Sequence, residues 1–540
     1  AGNNFVVTTL NSIPFFTDVA NQSMYTHNVS ATDNGAAQNT AYGFQAQDAI
    51  TTGDNNTTIG FKAGSAMNTA QQNTIIGSLA GDALTTGGFN VAVGTNALST
   101  EDTTGRNVAV GYNTLNAQNA AGDAYNVAVG SNAGQAVTTG IYNTLVGGSA
   151  GDSLTTGVRN VAMGMFSLST EDAHGFNTAI GYAALENLNA GTDALNTAVG
   201  YAAGNALTTG VKSTLVGANA GDALTTGWNN TAFGYAALSA EDAGSNNTAI
   251  GFEALTAQDA GADAYNVAVG HQAGRSVTTG VDNTILGALA GDALTTGSNN
   301  IAIGKNALSA EDTHGNNIAI GTNALRVQDA GAHAYNVAIG HNAGLTVTTG
   351  AYNTLIGGLA GDALTTGASN VAMGYSALST EDTGSRNIAI GQNALNNLNY
   401  DGNGYNVAIG HEAGVSVSTG LLNVLIGGFA GDALTTGSDN VAIGYAALST
   451  EDAHGKNIAI GVQALEDQNA GADAYNIAIG HQAGRDVTTG VRNTILGGLA
   501  GDALTTGSNN VALGYAALSG EDGNGRNVAI GAGALYALNA

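Results

Sequence analysis

Residues 440–456 read Asn-Val-Ala-Ile-Gly-Tyr-Ala-Ala-Leu-Ser-Thr-Glu-Asp-Ala-His-Gly-Lys, and the same pattern begins again at residue 457. Its first five residues, Asn440 to Gly444, form a signature: Asn, a β-branched residue, a small residue, a large apolar residue and Gly. The chain carries 29 copies of this signature, from Asn39 to Gly43 at one end to Asn527 to Gly531 at the other. So dense an internal repeat predicts a repeat architecture before any other feature is considered.

The spacing between successive signature Asn residues is regular. It follows a 17-17-17-19 pattern that recurs along the chain, so four units make a 70-residue super-repeat. A 17-residue unit is too short for a strand and a long helix, but it suits one coil of a β-solenoid with two short strands and two corners. We therefore predict an all-β fold, a parallel β-solenoid or β-roll of about 29 coils over residues 39–540. Coils about 4.8 Å apart would make a rod roughly 140 Å long.

The signature also predicts which side chains face inward. Positions +1 and +3 after the Asn lie on one face of a strand and are mostly β-branched or apolar, so we expect them to face a core. Position +2, which is Ala in 21 of the 29 copies, is expected to face a tight or exposed surface. The Gly at +4 predicts a corner with positive φ or a close backbone approach. The Asn side chains are expected to stack in a ladder from coil to coil.

Every fourth coil breaks the small-residue rule at position +2. A thin solenoid buries little of its surface, so we predict that this face packs against other chains and that the protein is a homo-oligomer. The alternative is an ordinary core position inside a slightly wider coil. The residues predicted to pack between chains are Ile75, Leu145, Leu215, Ile285, Leu355, Leu425 and Ile495.

Composition excludes several classes of protein. The chain of 540 residues has no Cys, so it has neither a disulfide framework nor a thiolate nucleophile. Its 40 acidic residues against 12 Lys and Arg give a net charge of −28, which opposes binding to nucleic acid. No long apolar run exists, so we expect no helix inserted in a membrane. Every candidate catalytic residue recurs many times, and we therefore predict that the protein is not an enzyme.

Residues 1–38 do not repeat and contain the chain's single Pro. We predict that this segment is a cap, an attachment or a strand donated to another subunit. Because an uncapped solenoid exposes a strand edge, donation would join subunits end to end; a truncated chain or an unrecognised cap are the alternatives. The residues predicted to join subunits are Phe5, Val6, Val7, Leu10, Phe15 and Phe16.

Glu-Asp pairs recur once in every super-repeat, from Glu101-Asp102 to Glu521-Asp522, and Asp or Asn occupies the equivalent place one coil later. Stacked carboxylates supply the oxygen ligands that Ca²⁺ prefers. The chain requires no cofactor on this view, but Ca²⁺ is a candidate ligand; the alternative is a solvated corner that keeps the protein soluble. The candidate ligands are Asp242, Asp259, Asp312 and Asp329.

The signature at Asn406 to Gly410 and Asn440 to Gly444 resembles the head repeats of trimeric autotransporter adhesins, and the arrays are similar to bacteriophage tail-fibre shafts. The resemblance covers residues 39–540. It implies a left-handed parallel β-roll, association in threes, and binding to a cell-surface glycan or matrix.

The sequence therefore predicts a structural subunit of an extracellular fibre or filament, a stiff rod whose partner is itself and which polymerises end to end. An adhesin or tail-fibre shaft, at the cell or virion surface, is the alternative. Ice binding is a minor alternative because Thr rows occupy only two of the four coil types.

Overall fold

A computed structural model describes residues 5–10, 13–26, 32–103, 105–520 and 522–537, with side chains from residue 15 onward. Within these ranges the chain is all-β and contains no helix. It is a parallel β-solenoid of about 29 turns, because 29 of its short strands carry the signature. The chain divides into two compact units, residues 1–266 and 267–540.

The first unit holds sixteen strands. The first three, β1 to β3, precede the repeats, and β4 to β16 each coincide with one signature. Their bounds are β1 Phe5–Leu10, β2 Ile13–Asp18, β3 Ser23–Tyr25, β4 Thr40–Tyr42, β5 Thr57–Ile59, β6 Thr74–Ile76, β7 Val91–Val93, β8 Val108–Val110, β9 Val127–Val129, β10 Thr144–Val146, β11 Val161–Met163, β12 Thr178–Ile180, β13 Thr197–Val199, β14 Thr214–Val216, β15 Thr231–Phe233 and β16 Thr248–Ile250.

The second unit also holds sixteen strands, and every one carries the signature. Their bounds are β17 Val267–Val269, β18 Thr284–Leu286, β19 Ile301–Ile303, β20 Ile318–Ile320, β21 Val337–Ile339, β22 Thr354–Ile356, β23 Val371–Met373, β24 Ile388–Ile390, β25 Val407–Ile409, β26 Val424–Ile426, β27 Val441–Ile443, β28 Ile458–Ile460, β29 Ile477–Ile479, β30 Thr494–Leu496, β31 Val511–Leu513 and β32 Val528–Ile530.

Within each unit the repeat strands pair in parallel, each with the strand one coil earlier and one coil later, in the register of the signature. Val91 lies opposite Val108, for example, and Ala92 lies opposite Ala109. The longer coil of each super-repeat keeps the register, because Val108 lies opposite Val127. Its two extra residues are therefore accommodated outside the strand.

Each coil carries one strand, not the predicted two. The second apolar patch, such as Ala97 and Leu98, lies in a turn in which Asn96 and Leu98 both have positive φ, near 57°. These alternating left-handed residues bend the chain so that it forms no regular strand, although its backbone still bonds from coil to coil, as the N–H of Leu98 does to the carbonyl of Thr114 at 3.0 Å. The prediction of two strands per coil was wrong because the apolar residues of a buried turn, here Ala97 and Leu98, have the same composition as a buried strand.

The prediction of inward-facing positions was also wrong. The residue at position +2 of each strand is buried, whereas positions +1 and +3 lie on the outer face, as the partly exposed Val441 and Ile443 on either side of the fully buried Ala442 show. The interior is narrow, so it accepts Ala at position +2 in most coils. The β-branched residues cover one another in columns along the outer face, where such side chains fit a pleated surface.

The seven large apolar residues at position +2 are consequently core residues and not a face for other chains. All of them are fully buried within their own chain: Ile75, Leu145, Leu215, Ile285, Leu355, Leu425 and Ile495. They occupy an ordinary core position, which was the alternative. The prediction that these seven residues pack between chains was wrong.

The predicted Asn ladder is present. Asn370, for example, donates its backbone N–H to the side-chain oxygen of Asn353, and its own side-chain oxygen accepts the N–H of Asn387, both at 2.9 Å. The side-chain amide of Asn370 donates to the carbonyl of Gly384 at 2.8 Å. The side chain of Asn370 thus satisfies two buried backbone groups that the short strands leave unpaired, whereas the side-chain nitrogen of Asn387 in the next coil has no hydrogen-bond partner.

The position of the signature Gly has both properties that the sequence predicts, a positive φ and a close approach of another backbone. Gly444 has φ of 139°, and a Cβ placed on it would lie 2.3 Å from the carbonyl oxygen of Gly461 in the next coil. No other residue fits this column of stacked glycines without moving the backbone.

The N-terminal residues form a hairpin that continues the sheet of the first unit. Strands β1 and β2 are antiparallel, β2 and β3 are antiparallel, and β3 pairs in parallel with β4. Phe16 packs against a buried cluster of the same chain that contains Tyr25 and Ile50. Phe16 therefore has a role within its own chain. The side chains of Phe5, Val6, Val7 and Leu10 lie outside the described residues.

Candidate metal sites at the Glu-Asp corners

A column of buried side chains runs through the position eleven places after each signature Asn. Around one corner it consists of Leu434, Glu451 and Gln468, all fully buried. Glu therefore occupies a place that is apolar or amide-bearing in the neighbouring coils. The described Glu residues of this set are all 0% exposed: Glu101, Glu171, Glu241, Glu311, Glu381 and Glu451.

In the five corners from Glu171 to Glu451 the chain folds back over the Glu carboxylate. The backbone N–H three positions later donates to Glu Oε1, at 2.6 Å from Gly244 to Glu241 and at 3.1 Å from His454 to Glu451. The adjacent Asp452 contributes its backbone carbonyl, which accepts the N–H of Thr435 from the preceding coil. The corner is thus held both by its own backbone and by the coil before it.

Burial perturbs these carboxyl groups. It raises the pKa of Glu311 and of Glu381 to about 7, against the lowering effect of the backbone N–H bonds from His314 and Gly384. Burial also raises the pKa of Glu241 and Glu451. A buried carboxylate without a countercharge is unfavourable, so these positions favour the neutral acid or a bound cation.

The structure brings the predicted acidic residues together in part. Asp242 and Asp259 form a group with Glu241, with ligand atoms within 4.8 Å of one another. Burial raises the pKa of Asp259, and its close neighbour Asp242 raises it further. These three carboxylates are hard oxygen donors, so Ca²⁺ binding at this corner stays a prediction.

The second predicted pair is arranged differently. Asp312 groups with Glu311 and His314 within 4.8 Å. Asp329 is not part of that group, although its charge contributes to raising the pKa of Glu311. One predicted ligand therefore joins this cluster, and a nitrogen donor takes the place expected for a carboxylate.

Two features of these corners were not predicted from the sequence: the burial of the Glu and the approach of a His to its carboxylate. His Nδ1 lies 3.4 to 3.6 Å from Glu Oε1 in three corners, Glu171–His174, Glu311–His314 and Glu451–His454. The signal was available in the sequence as Glu-Asp-X-His, which recurs in every second super-repeat from Glu171 to His454.

Aromatic side chains form a second feature, on the outer surface. Tyr182 and Tyr201 stack with ring centroids 5.4 Å apart, and Tyr235 and Phe252 stack at the same separation. These rings lie on successive coils and are exposed. Flat exposed rings of this kind can pack against apolar faces of a ligand or another chain.

No protein-family model matches this chain, and no curated protein sequence matches it. Among the residues that the structure describes, no helix is long and apolar enough to cross a membrane.

Proposed function

We propose that this protein is a non-enzymatic structural subunit of an extracellular fibre or filament, and that its copies join end to end. Its partner on this proposal is another copy of the same chain, and it needs no cofactor for assembly. The observation that carries the proposal is the parallel ladder of the repeat strands within each unit, in which every coil pairs in register with its neighbours and which a strand of another copy can continue.

The repeat structure supports a mechanical role. Within each unit every coil bonds to the next through the strand, the Asn ladder and the stacked glycines. Opening one coil therefore breaks several bonds on both sides at once, which makes a stack of coils resist bending and local opening.

The strand β32 has an edge that can take a further strand, which this proposal assigns to another copy of the chain. Val528 is 64% exposed and Ile530 is 69% exposed, far more than their equivalents inside the unit. In the inner coils the N–H of the residue at position +1 donates to the next coil, as Val511 does to Asn527 at 2.8 Å. The N–H of Val528 has no such acceptor among the described residues. An edge of this kind is a template for a strand of another chain.

The test exploits the direction of that N–H. Val528→Pro removes the donor that an incoming strand would use, but it removes no described hydrogen bond of the chain itself. Val528→Ala keeps the donor and serves as the matched control. We expect the wild-type chain and Val528→Ala to form filaments in electron micrographs and large species in sedimentation, whereas Val528→Pro forms markedly fewer. Wild-type chains that stay single at every concentration, or a Pro variant that assembles normally, would refute the proposal.

Association in threes, which the resemblance implies, is a further part of this proposal. Because the seven large side chains at position +2 are buried, side-by-side contacts would have to use the outer positions +1 and +3 and the exposed aromatic rings. Sedimentation equilibrium of Val528→Pro, in which end-to-end joining is weakened, measures the number of chains in the lateral assembly.

The stacked exposed rings favour one second candidate, an adhesin that binds a surface glycan. Sugars present apolar faces that pack on flat aromatic rings. Replacing Tyr182 and Tyr201 by Ala should abolish binding on a glycan array, whereas Tyr515→Ala, at an exposed ring outside these pairs, should not. Identical array profiles for all three proteins would argue against the adhesin.

A further inference from the structure

The corner at Glu451 has a buried oxygen without a partner. Glu451 is 0% exposed, its Oε1 accepts the N–H of His454, and its Oε2 has no hydrogen-bond partner. Its column neighbours Leu434 and Gln468 are also fully buried. A carboxylate in such a place requires a proton or a cation close to the unpaired oxygen.

A nitrogen donor without a partner faces the same carboxylate. His454 Nδ1 is buried, lacks a hydrogen-bond partner and lies 3.5 Å from Glu451 Oε1. Ligand atoms of Asp452 lie within 4.8 Å of both. Donors bound to one Zn²⁺ at about 2.0–2.2 Å in tetrahedral geometry are about 3.3–3.6 Å apart, so the Glu–His separation requires little adjustment.

The His and Asp donors recur at a second corner. His174 Nδ1 is also buried without a hydrogen-bond partner, 3.4 Å from Glu171 Oε1, with Asp172 beside it. Both oxygens of Glu171 accept backbone N–H groups there, Oε1 from His174 at 3.1 Å and Oε2 from Ala190 at 3.4 Å. The corner at Glu311, Asp312 and His314 has the same donors, although there the hydroxyl of Thr313 lies 2.9 Å from the imidazole Nδ1 and competes for it.

Corners without the His are built differently. In the corners of Glu241 and Glu381 the residue three positions later is Gly, whose N–H bonds to Glu Oε1 at 2.6 Å, shorter than the 3.1 Å of the His corners. The amide therefore satisfies the carboxylate more closely where no imidazole is present. The second oxygen differs as well: Oε2 of Glu241 and of Glu381 accepts a backbone N–H at 3.4 Å, whereas Oε2 of Glu451 has no hydrogen-bond partner.

We propose that the three Glu-Asp-X-His corners are binding sites for a late first-row divalent cation such as Zn²⁺, with Glu, Asp and His as protein ligands. The fourth position is open to water, because the Asp is at least partly exposed and the His is partly exposed. Imidazole together with carboxylate selects such an ion over Ca²⁺, which prefers oxygen alone. The ligand residues are Glu171, Asp172, His174, Glu311, Asp312, His314, Glu451, Asp452 and His454.

Co²⁺ provides the test, because its visible absorption reports nitrogen ligation and geometry. The full chain, first treated with EDTA, should bind about three Co²⁺ ions, one at each His corner, with visible bands that Zn²⁺ displaces and excess Ca²⁺ does not. Replacing His174, His314 and His454 by Gly, the residue at the equivalent positions 244 and 384, should eliminate these bands. His454→Gly alone should remove about one third of the signal.

A matched control removes other imidazoles. His271, His341, His411 and His481 are exposed at one equivalent position outside the corners. Replacing all four by Gln should leave the Co²⁺ spectrum and stoichiometry unchanged.

Three results would overturn the proposal. They are a wild-type chain that binds no Co²⁺, a triple Gly variant that binds as many ions as the wild type, and displacement by Ca²⁺ as readily as by Zn²⁺. Hydrogen exchange of the triple variant, compared with the metal-free wild type, establishes whether its corners keep their fold. Because the test concerns metal binding alone, its outcome is separate from that of filament assembly.

Discussion

Asn370→Ala should open the solenoid locally, and its effect can be worked out from its bonds. The change leaves two buried backbone groups without partners, the N–H of Asn387 and the carbonyl of Gly384. Each orphaned group costs about 1–3 kcal/mol, so the local free energy of opening should fall by about 2–6 kcal/mol. No new contact offsets this loss, because Asn370 is fully buried.

The chain contains its own control for this change. Ser213 is the first residue of its signature, and all remaining signatures begin with Asn. The hydroxyl oxygen of Ser213 accepts the N–H of Asn230 at 3.3 Å. Asn370→Ser should therefore keep an acceptor for Asn387 and lose only the amide donor, with about half the effect. Ser213→Asn should raise local stability by about 1 kcal/mol.

Hydrogen exchange followed by mass spectrometry on the full chain measures these differences coil by coil. A global melting temperature is a poor measure here, since a long repeat array does not unfold in two states. Peptides that contain Asn387 should exchange faster in the order Ala, Ser, wild type, and distant coils should be unchanged. Equal exchange in all three proteins, or equal effects of Ser and Ala, would show that the Asn ladder does not stabilise the fold.

Three further changes test separate parts of the structure. Gly444→Ala should lower local stability by more than about 3 kcal/mol, because its Cβ would meet the backbone of the next coil. Gly261 also has positive φ but has open space around it, so Gly261→Ala should lower local stability by about 1 kcal/mol. Equal rates of limited proteolysis for the two variants would show that the stacked glycines are not closely packed. Leu425→Ala should lower the local free energy of opening by about 2–5 kcal/mol, and Ile426→Ala by less than about 1.5 kcal/mol, because Leu425 is buried and Ile426 is partly exposed. A larger effect of Ile426→Ala in hydrogen exchange would show that Leu425 faces outward. Burial raises the pKa of Glu381 from 4.5 to about 7, so the local free energy of opening should fall as the pH rises from 4.5 to 7. Glu381→Gln should reduce this fall, measured by hydrogen exchange as a function of pH. The same pH profile in the variant and the wild type would contradict the prediction.

The architecture was predictable because the signature repeats at an almost constant spacing. The 17-residue period, the invariant Gly and the leading Asn each have a direct geometric meaning, and all three predictions are confirmed by β4 to β32. One copy of Asn-Val-Ala-Ile-Gly would not have carried that inference.

The facing of the side chains was not predictable from alternation alone. In a strand of 3 residues, either the middle side chain or the two outer side chains face inward. The sequence Val441, Ala442 and Ile443 is compatible with either orientation. Hydrophobicity favoured the wrong choice, because it ignores how little room so short a coil leaves inside. The buried Ala and the outer β-branched columns follow from that volume limit.

The candidate sites were predictable only in part for a related reason. Glu and Asp are adjacent in sequence, and both predicted roles, Ca²⁺ ligands or a solvated corner, place the two side chains in the same environment. Only the coil geometry shows that Glu451 occupies a core column while Asp452 is exposed. The His was visible in sequence three positions after the Glu, but its relevance depends on the burial of that Glu.

Electron cryomicroscopy of the assembled protein tests the central proposal most directly. End-to-end joining predicts filaments in which the strand spacing of about 4.8 Å continues across the junction between β32 of one copy and β1 of the next. Isolated copies under all assembly conditions, or filaments whose copies meet without a continuous ladder, would contradict it.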